Sequence, residues 1–473
     1  MPRRNGWIPL NSLANIISYF FIVYIMLISM YTLLIFCLSF VGLLQHRLKE
    51  KFATPLEIRK AKITPPVSIL VPAHNEEKSI AASIKSLLNL EYGEFEVVVI
   101  NDGSKDKTLD VMKEEFQLRE IRQDSNHQIP TQKVNAVYRS RTCKNLIVID
   151  KQNGGKADSL NTGINICSYP LFCCIDADSI LEKHSLLRIA YPYMEAYSTV
   201  VATGGLVRAL NGCTVKDGQV QTVKLSKKLI VNFQVLEYFR SFLSGRMGFS
   251  ALNCLLIISG AFGLFKKQVV IEAGGYRHDT VGEDMELVVR LHHMLRKQKK
   301  NYSIQFIPDP VCWTEAPEDI GTLGRQRNRW QRGLGDSLLF HIEMLGNPRY
   351  GTVGMVSMPY FFFIEFISPI VEYVGYAFFI LGIAFGTVDV RAGLLFFFLT
   401  VILGVLMSLI SLLMEEITFD RYNRIRDLLR LIAAAVIENF GYRQYITFVR
   451  TKGLYDYIRG NKSWGVMKRA GIS

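Results

Sequence analysis

Leu171-Phe-Cys-Cys-Ile-Asp176-Ala-Asp178-Ser-Ile180 is an apolar run of strand length that stops on two carboxylates one residue apart. Residues i and i+2 of an extended chain share a face, so Asp176 and Asp178 are predicted to turn toward one point beyond a buried strand. Open α/β sheets bind their ligands at the carboxyl ends of the strands. Paired hard oxygens suit Mg²⁺ or Mn²⁺, ions that work with the phosphates of a bound nucleotide. A polar turn after a core strand would use the same residues, and the flanking chain decides between the two.

Upstream, residues 67–71 read as a strand followed by Pro72-Ala-His-Asn-Glu-Glu77 and a helical pattern over 78–90. Residues 95–100 form the next strand, which ends in Asn101-Asp-Gly-Ser104 before a helix near 107–117. Strand, polar loop and helix in alternation are the signature of right-handed βαβ units and a parallel sheet. Val97, Val98, Val99 and Ile100 are continuously apolar, as a strand covered on both faces requires. Residues 118–145 are polar and irregular and read as an insertion at the sheet's edge. A third strand over 145–149 leads to Asn153-Gly-Gly-Lys156 at the start of a helix. That segment offers amides, a helix N-terminus and an ammonium to an anion, or is simply a glycine-rich turn. It lacks P-loop spacing. The run at 171–175 is the fourth strand. Glu76, Glu77, Asp102, Asp176 and Asp178 thus collect on one rim, because parallel strands deliver their C-terminal loops to the same side.

Downstream, a strand over 200–207, a polar hairpin near 210–218 and a helical stretch near 225–250 follow. Ser259-Gly-Ala-Phe-Gly-Leu-Phe265 reads as a glycine-containing strand able to lie close against a bound sugar. Leu287, Val288, Leu291, Met294 and Leu295 repeat at helical spacing and put Glu283 and Asp284 in a helix's first turn. The helix dipole favours carboxylates there, and the position is rigid, as a general base requires. Residues 318–346 hold Arg325, Arg327, Arg329 and Arg332 on one face of a helix and Leu323, Trp330, Leu334, Leu338 and Leu339 on another, a pattern for a helix lying flat at a membrane surface or for an ordinary interface helix.

The 473 residues are 49% hydrophobic yet 21% charged, and the apolar residues are concentrated in blocks. Residues 16–44, 353–388 (apart from Glu365 and Glu372) and 392–413 are nearly free of charge and long enough to span a bilayer. The net charge of +13 clusters beside them, at His46, Arg47, Lys49 and Lys51 and at Arg421, Arg424, Arg426 and Arg430. This positive-inside pattern places the middle of the chain in the cytoplasm and the N-terminus outside, and speaks against nucleic acid as the partner. Eight cysteines without metal spacing fit a reducing compartment without disulfides. The first run is too long for a signal-peptide core and reads as a retained anchor. Pro369 is a predicted break, and a third downstream span over 428–449 is interrupted by Glu438, Asn439, Tyr442 and Arg443. Such groups face a cavity or a partner helix. Lys452, Arg459, Lys462, Lys468 and Arg469 favour a cytoplasmic tail, whereas three downstream spans would put it outside.

Taken in order, the motifs resemble the membrane-bound family 2 glycosyltransferases, the group of cellulose, chitin, hyaluronan and poly-N-acetylglucosamine synthases. Pro72-Ala-His-Asn-Glu-Glu77, Asn101-Asp-Gly-Ser104, Gly154-Gly-Lys-Ala157, Asp176-Ala-Asp178, Gly282-Glu-Asp284 and Gln326-Arg-Asn-Arg329-Trp330 occur in the family's order over about residues 67–335. Gly282 departs from the threonine the family often has before Glu-Asp. The resemblance implies a GT-A fold with a mixed, mostly parallel sheet, flanked by N- and C-terminal transmembrane helices and amphipathic interface helices. It implies this division: a short segment 1–14, a transmembrane helix 15–45, a linker 46–66, a cytoplasmic catalytic domain 67–317, interface helices 318–368, a region 369–449 of two or three spans, and a basic tail 450–473.

It also implies an inverting transfer from a UDP-α-sugar donor, UDP-glucose or UDP-N-acetylglucosamine, to a growing β-linked glycan in the plasma membrane. Ala73, His74 and Glu76 would line the uridine pocket, Asp102 would bind base or ribose, and Lys156 would lie near the nucleotide. Asp176 and Asp178 would hold Mg²⁺ or Mn²⁺ on the diphosphate, Asp178 as the direct ligand. Asp284 would be the general base, assisted by Glu283. Gln326 and Arg329 would contact the leaving diphosphate, and Trp330 would stack under the acceptor. Membrane lipids are expected partners, and accessory secretion or outer-envelope proteins are compatible with it. Single-sugar transfer to a lipid is the alternative. A non-catalytic nucleotide-binding regulator is a third reading, and a pure transporter is disfavoured by the large soluble α/β region.

Overall fold

A computed structural model describes residues 10–50, 64–122, 128–216, 218–419, 421–422 and 424–461. Most of segment 1–14 and of linker 46–66, with Arg3, Arg4 and Lys51, and the tail residues Lys462, Lys468 and Arg469 lie outside the described residues.

The α/β region is built on strands β1 (Val67–Ala73), β2 (Phe95–Asp102), β3 (Leu118–Ile121), β4 (Val134–Ser140), β5 (Leu146–Lys151), β6 (Leu171–Cys174), β7 (Ile180–Leu181), β8 (Val200–Ala209), β9 (Thr214–Lys216), β10 (Gln219–Thr222), β11 (Gly263–Lys266) and β12 (Ser303–Thr314). Ten of them form one sheet in the order β3-β4-β5-β2-β1-β6-β11-β8-β12-β7, while β9 and β10 pair as the expected hairpin. The centre β5-β2-β1-β6 is parallel, and β8 pairs parallel with β12. Val97, Val98, Val99 and Ile100 are fully buried, as strands covered on both faces must be. This is a GT-A arrangement.

Two expectations change, and one strand is added. Residues 118–145 are not an irregular insertion: β3 and β4 extend the sheet's edge antiparallel to β5. β12 carries no strand signature in the sequence, because Pro308 and Pro310 interrupt it, and the chain absorbs them as a bulge between Ile307 and Val311. The glycine-containing strand is shorter than 259–265. Phe262 N donates to Ser259 O at 3.0 Å in a turn, and pairing begins at Gly263.

Among the described residues two helices are long and apolar enough to cross a membrane, Asn15–Leu48 and Gly393–Phe419, and the pair Val353–Phe366 and Ser368–Ala384, bent by 40°, makes a third if counted as one span. The bend falls beside Pro369, where proline removes a helical donor. Residues 428–449 are not one helix. Ile425–Ile437 and Tyr442–Ile458 are separate, and Gly441 takes a φ of +94° between them. The second packs back on the helix Ile320–Leu339: Arg450 donates to Gln331 at 2.9 Å and Asn328 to Asp456 at 2.7 Å.

The α/β domain is tied to the apolar helices by buried contacts. Tyr31 Oη donates to Val356 O at 2.8 Å and Ser39 to Ser244 O at 2.9 Å. Arg208 near the end of β8 meets Glu415 near the end of the Gly393–Phe419 span at 2.5 Å, with side chains 2% and 0% exposed. Removing one partner strands a buried charge. Glu415→Ala is expected to destabilise the protein by about 3 kcal/mol, measured as thermal unfolding in detergent. Arg208→Met combined with Glu415→Met should recover much of that loss.

Candidate active site

The predicted strand ends do meet. One cavity of about 2200 Å³ runs from Ala73, His74, Glu76 and Asp102 past Lys156, Asp176, Glu283 and Asp284 to Gln326, Arg329 and Trp330. It continues between the apolar helices, where Tyr24, Glu372 and Arg443 line it. Among the predicted site residues Asp178 alone is not in its lining.

At the β2 end of the cavity, Asp102 is 4% exposed and holds the loop beside it. Its Oδ1 accepts from Lys151 Nζ at 2.6 Å and Gly154 N at 2.9 Å. Its Oδ2 accepts from Gly155 N at 2.8 Å and Asn153 Nδ2 at 3.2 Å. A carboxylate offers about four acceptor positions, so a base or ribose would have to share these oxygens. His74 Nδ1 lies 2.8 Å from Asp102 O, and Asn153 Nδ2 donates to the same carbonyl at 2.8 Å. Glu76 accepts from Ser79 at 2.8 Å. Sequence reading missed Lys151, which is fully buried and also meets Asp158 at 2.7 Å. Its one sequence signal is a lysine at the buried end of an apolar strand, just before Asn153-Gly-Gly-Lys156.

The Asp176–Asp178 geometry differs from the extended-chain expectation. β6 stops at Cys174, and Ser179 N donates to Asp176 O at 3.0 Å, so the pair sits in a turn. A turn does not keep the two-residue alternation of a strand, and Asp176 faces the cavity while Asp178 is half-buried beside it. Lys156 ion-pairs with Asp176. Burial pulls the lysine's pKa down, but Asp176, Glu283 and Asp284 outweigh it and the net shift is upward. Among the described residues no group of three or more His, Cys, Asp or Glu has metal-holding geometry. The hard oxygens of Asp176 and its neighbour fit a divalent ion only if a bound diphosphate completes the shell.

Glu283 and Asp284 open the helix Glu283–Lys297 as predicted. Asp284 Oδ2 accepts from Gly260 N at 3.0 Å, and Oδ1 from Met285 N at 2.8 Å. A Cβ on Gly260 would lie 3.1 Å from Lys156 Nζ and 3.3 Å from Asp284 Oδ2, so this glycine lets the backbone come against both groups. Burial pushes the Glu283 carboxyl up to about 7; Lys156 opposes the shift and Asp284 adds to it. A carboxyl raised in the fold binds its proton more tightly there than in the unfolded chain. Its contribution is therefore present below the ordinary carboxyl range and lost as pH rises through about 7. Glu283→Gln is expected to flatten the loss of thermal stability between about pH 5 and 8, in unfolding scans of ligand-free protein.

The helix Ile320–Leu339 supplies the third wall. Gln326 Oε1 is buried with no hydrogen-bond partner among the described residues, an acceptor left for a ligand. Trp330 is 45% exposed toward the cavity, with the Arg327 guanidinium 4.2 Å from its ring centre. The expected basic face of this helix is largely turned inward. Arg327 pairs with Glu237, Arg332 donates to Asn328 at 3.0 Å, and both arginines are buried. The helix meets the Glu283 helix backbone to backbone. A Cβ on Gly282 would lie 2.7 Å from Gly333 Cα, and one on Gly333 2.7 Å from Gly282 Cα. This contact accounts for glycine where threonine is usual.

The glycosyl transferase family 2 model matches residues 68–229, and the glycosyl transferase family group 2 model matches residues 171–414, more than half of the chain. A poly-β-1,6-N-acetyl-D-glucosamine synthase of Staphylococcus aureus (strain COL) is 28% identical over 276 residues, and one of Staphylococcus epidermidis is 26% identical over 274. Each match covers 58% of this chain and 55% of the relative, so the chain spans about half the length of the curated relatives it matches. Among solved structures, a mannosyltransferase from Pyrobaculum calidifontis in complex with GDP-Man and Mn²⁺ is similar with a TM-score of 0.48 and 16% identity, over 88% of this chain and 99% of that one. Residues 1–349 of TarS from S. aureus give a TM-score of 0.40 and 15% identity, over 84% and 92%.

Proposed function

The chain belongs to the glycosyl transferase family group 2, and from that membership we propose that it is an inverting transferase extending a β-linked glycan from a UDP-α-sugar. UDP-N-acetylglucosamine is the donor favoured by its similarity to poly-N-acetylglucosamine synthases. The observation carrying this reading is the single cavity that joins the nucleotide end, the Glu283–Asp284 helix end, Trp330 and the membrane helices. A growing chain could leave the site through the bilayer along that path.

In this reading Ala73 and His74 flank the uridine, and Lys156, Gln326 and Arg329 face the diphosphate. Asp176 and Asp178 would hold Mg²⁺ or Mn²⁺ together with diphosphate oxygens, and the ion would neutralise charge on the leaving group. Arg329 and Lys156 place cationic donors where charge develops as the sugar–phosphate bond breaks. Asp284, held by the Gly260 amide, accepts the proton of the attacking hydroxyl. Trp330 offers its ring to a pyranose face. The leaving UDP carries away the negative charge, and one base suffices for inversion.

With the bent pair counted as one span, it and Gly393–Phe419 would return the chain to the side of the catalytic domain. That agrees with basic Lys452 and Arg459 and with the contact of Arg450 to Gln331, and supports a multi-pass plasma-membrane protein with its catalytic domain cytoplasmic. The test is a panel of radiolabelled UDP-sugars with purified protein, Mg²⁺ or Mn²⁺, and sizing of the product. Polymer from UDP-N-acetylglucosamine is expected. A monoglycosylated lipid as the sole product would replace polymer synthesis with single transfer.

A further inference from the structure

Of the arginines lining the cavity, Arg240 pairs with Glu438 at 2.7 Å, Arg450 with Glu365 at 3.0 Å, and Arg327 with Glu237. Arg246 differs. Among the described residues it has no carboxylate at ion-pair distance and no hydrogen-bond acceptor. Its guanidinium lies 3.9 Å from the centre of the Phe242 ring, a contact that satisfies the charge in part but takes up none of its N–H donors. Burial lowers its pKa to about 10, with Asp284 the acid that opposes the shift. A half-buried cation facing a cavity with free donors is a recognition group in want of oxygen ligands.

Position decides which oxygens. Arg246 ends the π-helical segment Phe239–Arg246, a widened turn of the kind found at functional sites. The residues beside it touch the N-terminal span: Ser244 O accepts from Ser39, and a Cβ on Gly248 would lie 2.6 Å from Ile35 O. Arg246 therefore stands where the cavity passes from the Asp284 helix toward the membrane. The diphosphate already has Lys156 and Arg329 on other walls.

Resting on the glycosyltransfer reading above, we infer that Arg246 is an acceptor-binding residue whose guanidinium donates to hydroxyl or acetamido oxygens of the terminal acceptor sugar and so orients the attacking hydroxyl toward Asp284. A guanidinium suits this task because its planar fork can bridge two neighbouring oxygens, which a lysine ammonium does less well.

The test uses the full-length protein in neutral, phosphate-free detergent, with UDP-N-acetylglucosamine as donor and soluble β-linked N-acetylglucosamine oligomers as acceptor. Arg246→Met is expected to raise the apparent KM for the oligomer about tenfold or more, with Arg246→Lys intermediate. The donor KM and the Kd for UDP should stay within about twofold of the wild type. An unchanged oligomer KM would overturn the assignment. So would a UDP Kd that weakens in step, which makes Arg246 a diphosphate ligand or a fold element, or a defect seen only when anionic phospholipid is added, which makes it a lipid contact. A wild-type protein that transfers no sugar to any acceptor would instead bring down the glycosyltransfer reading itself, before any variant is compared.

Discussion

Asp284→Asn is expected to lower sugar transfer by about 10²- to 10⁴-fold while UDP still binds. The substitution keeps an acceptor oxygen for the Gly260 amide, which now donates to Asp284 Oδ2 at 3.0 Å, so the backbone at the helix start need not move. What is lost is the ability to accept a proton from a poor nucleophile. Neighbouring Glu283 does not replace it. It is 5% exposed and sits one residue earlier on the helix, so its carboxyl does not occupy the place of Asp284 against the Gly260 amide. UDP binding by calorimetry and transfer of radiolabelled sugar separate the two effects. Full transfer by Asp284→Asn would remove the base from Asp284, and loss of UDP binding together with transfer would mean a structural role.

Gly282→Thr, which restores the residue usual in the family, is expected to damage this protein. The new Cβ would lie 2.7 Å from Gly333 Cα and 3.0 Å from Gly333 C, backbone atoms that cannot swing aside as a side chain would. The Glu283 helix and the Trp330 helix must then separate. Overpacking of this kind costs about 1–3 kcal/mol, visible as a lower thermal midpoint. The larger consequence is catalytic, because the two helices carry the residues proposed as proton acceptor and as diphosphate and acceptor contacts. A displacement near 1 Å between reacting groups can cost about 10²-fold in rate. Activity and stability both equal to wild type would show that the helix contact is not a constraint.

What could be read from the amino-acid string followed from local physics. β1, β2, β5 and β6 announce themselves because strands covered on both faces are largely apolar runs of strand length, and a helix begins at Glu283 because the apolar residues after it recur at helical spacing. The edge strands β3 and β4 did not. Their burial is mixed along their length, so they lack a core signature. β12 is hidden by Pro308 and Pro310, which the fold accommodates in a bulge. At the site, the motif residues were legible as types. Their partners were not, because Lys151 meets Asp102 across 49 positions and Gly282 meets Gly333 across 51. Asp178 was placed by strand geometry that ends at Cys174, before the chain reaches it. Arg327 and Arg332 looked like a membrane-facing surface because helical spacing reports a face, and the acidic and carbonyl partners that claim them come from elsewhere in the chain.

The four donors already gathered on Asp102 have a kinetic consequence. The Asn153–Gly155 loop is held in shape before any nucleotide arrives, and its main tether, Lys151, is inaccessible to solvent. A loop fixed in advance pays no ordering entropy on binding, and no rearrangement stands between encounter and capture. UDP association in stopped flow is therefore expected as a single phase whose rate rises linearly with UDP concentration, without the plateau that a slow loop closure would impose.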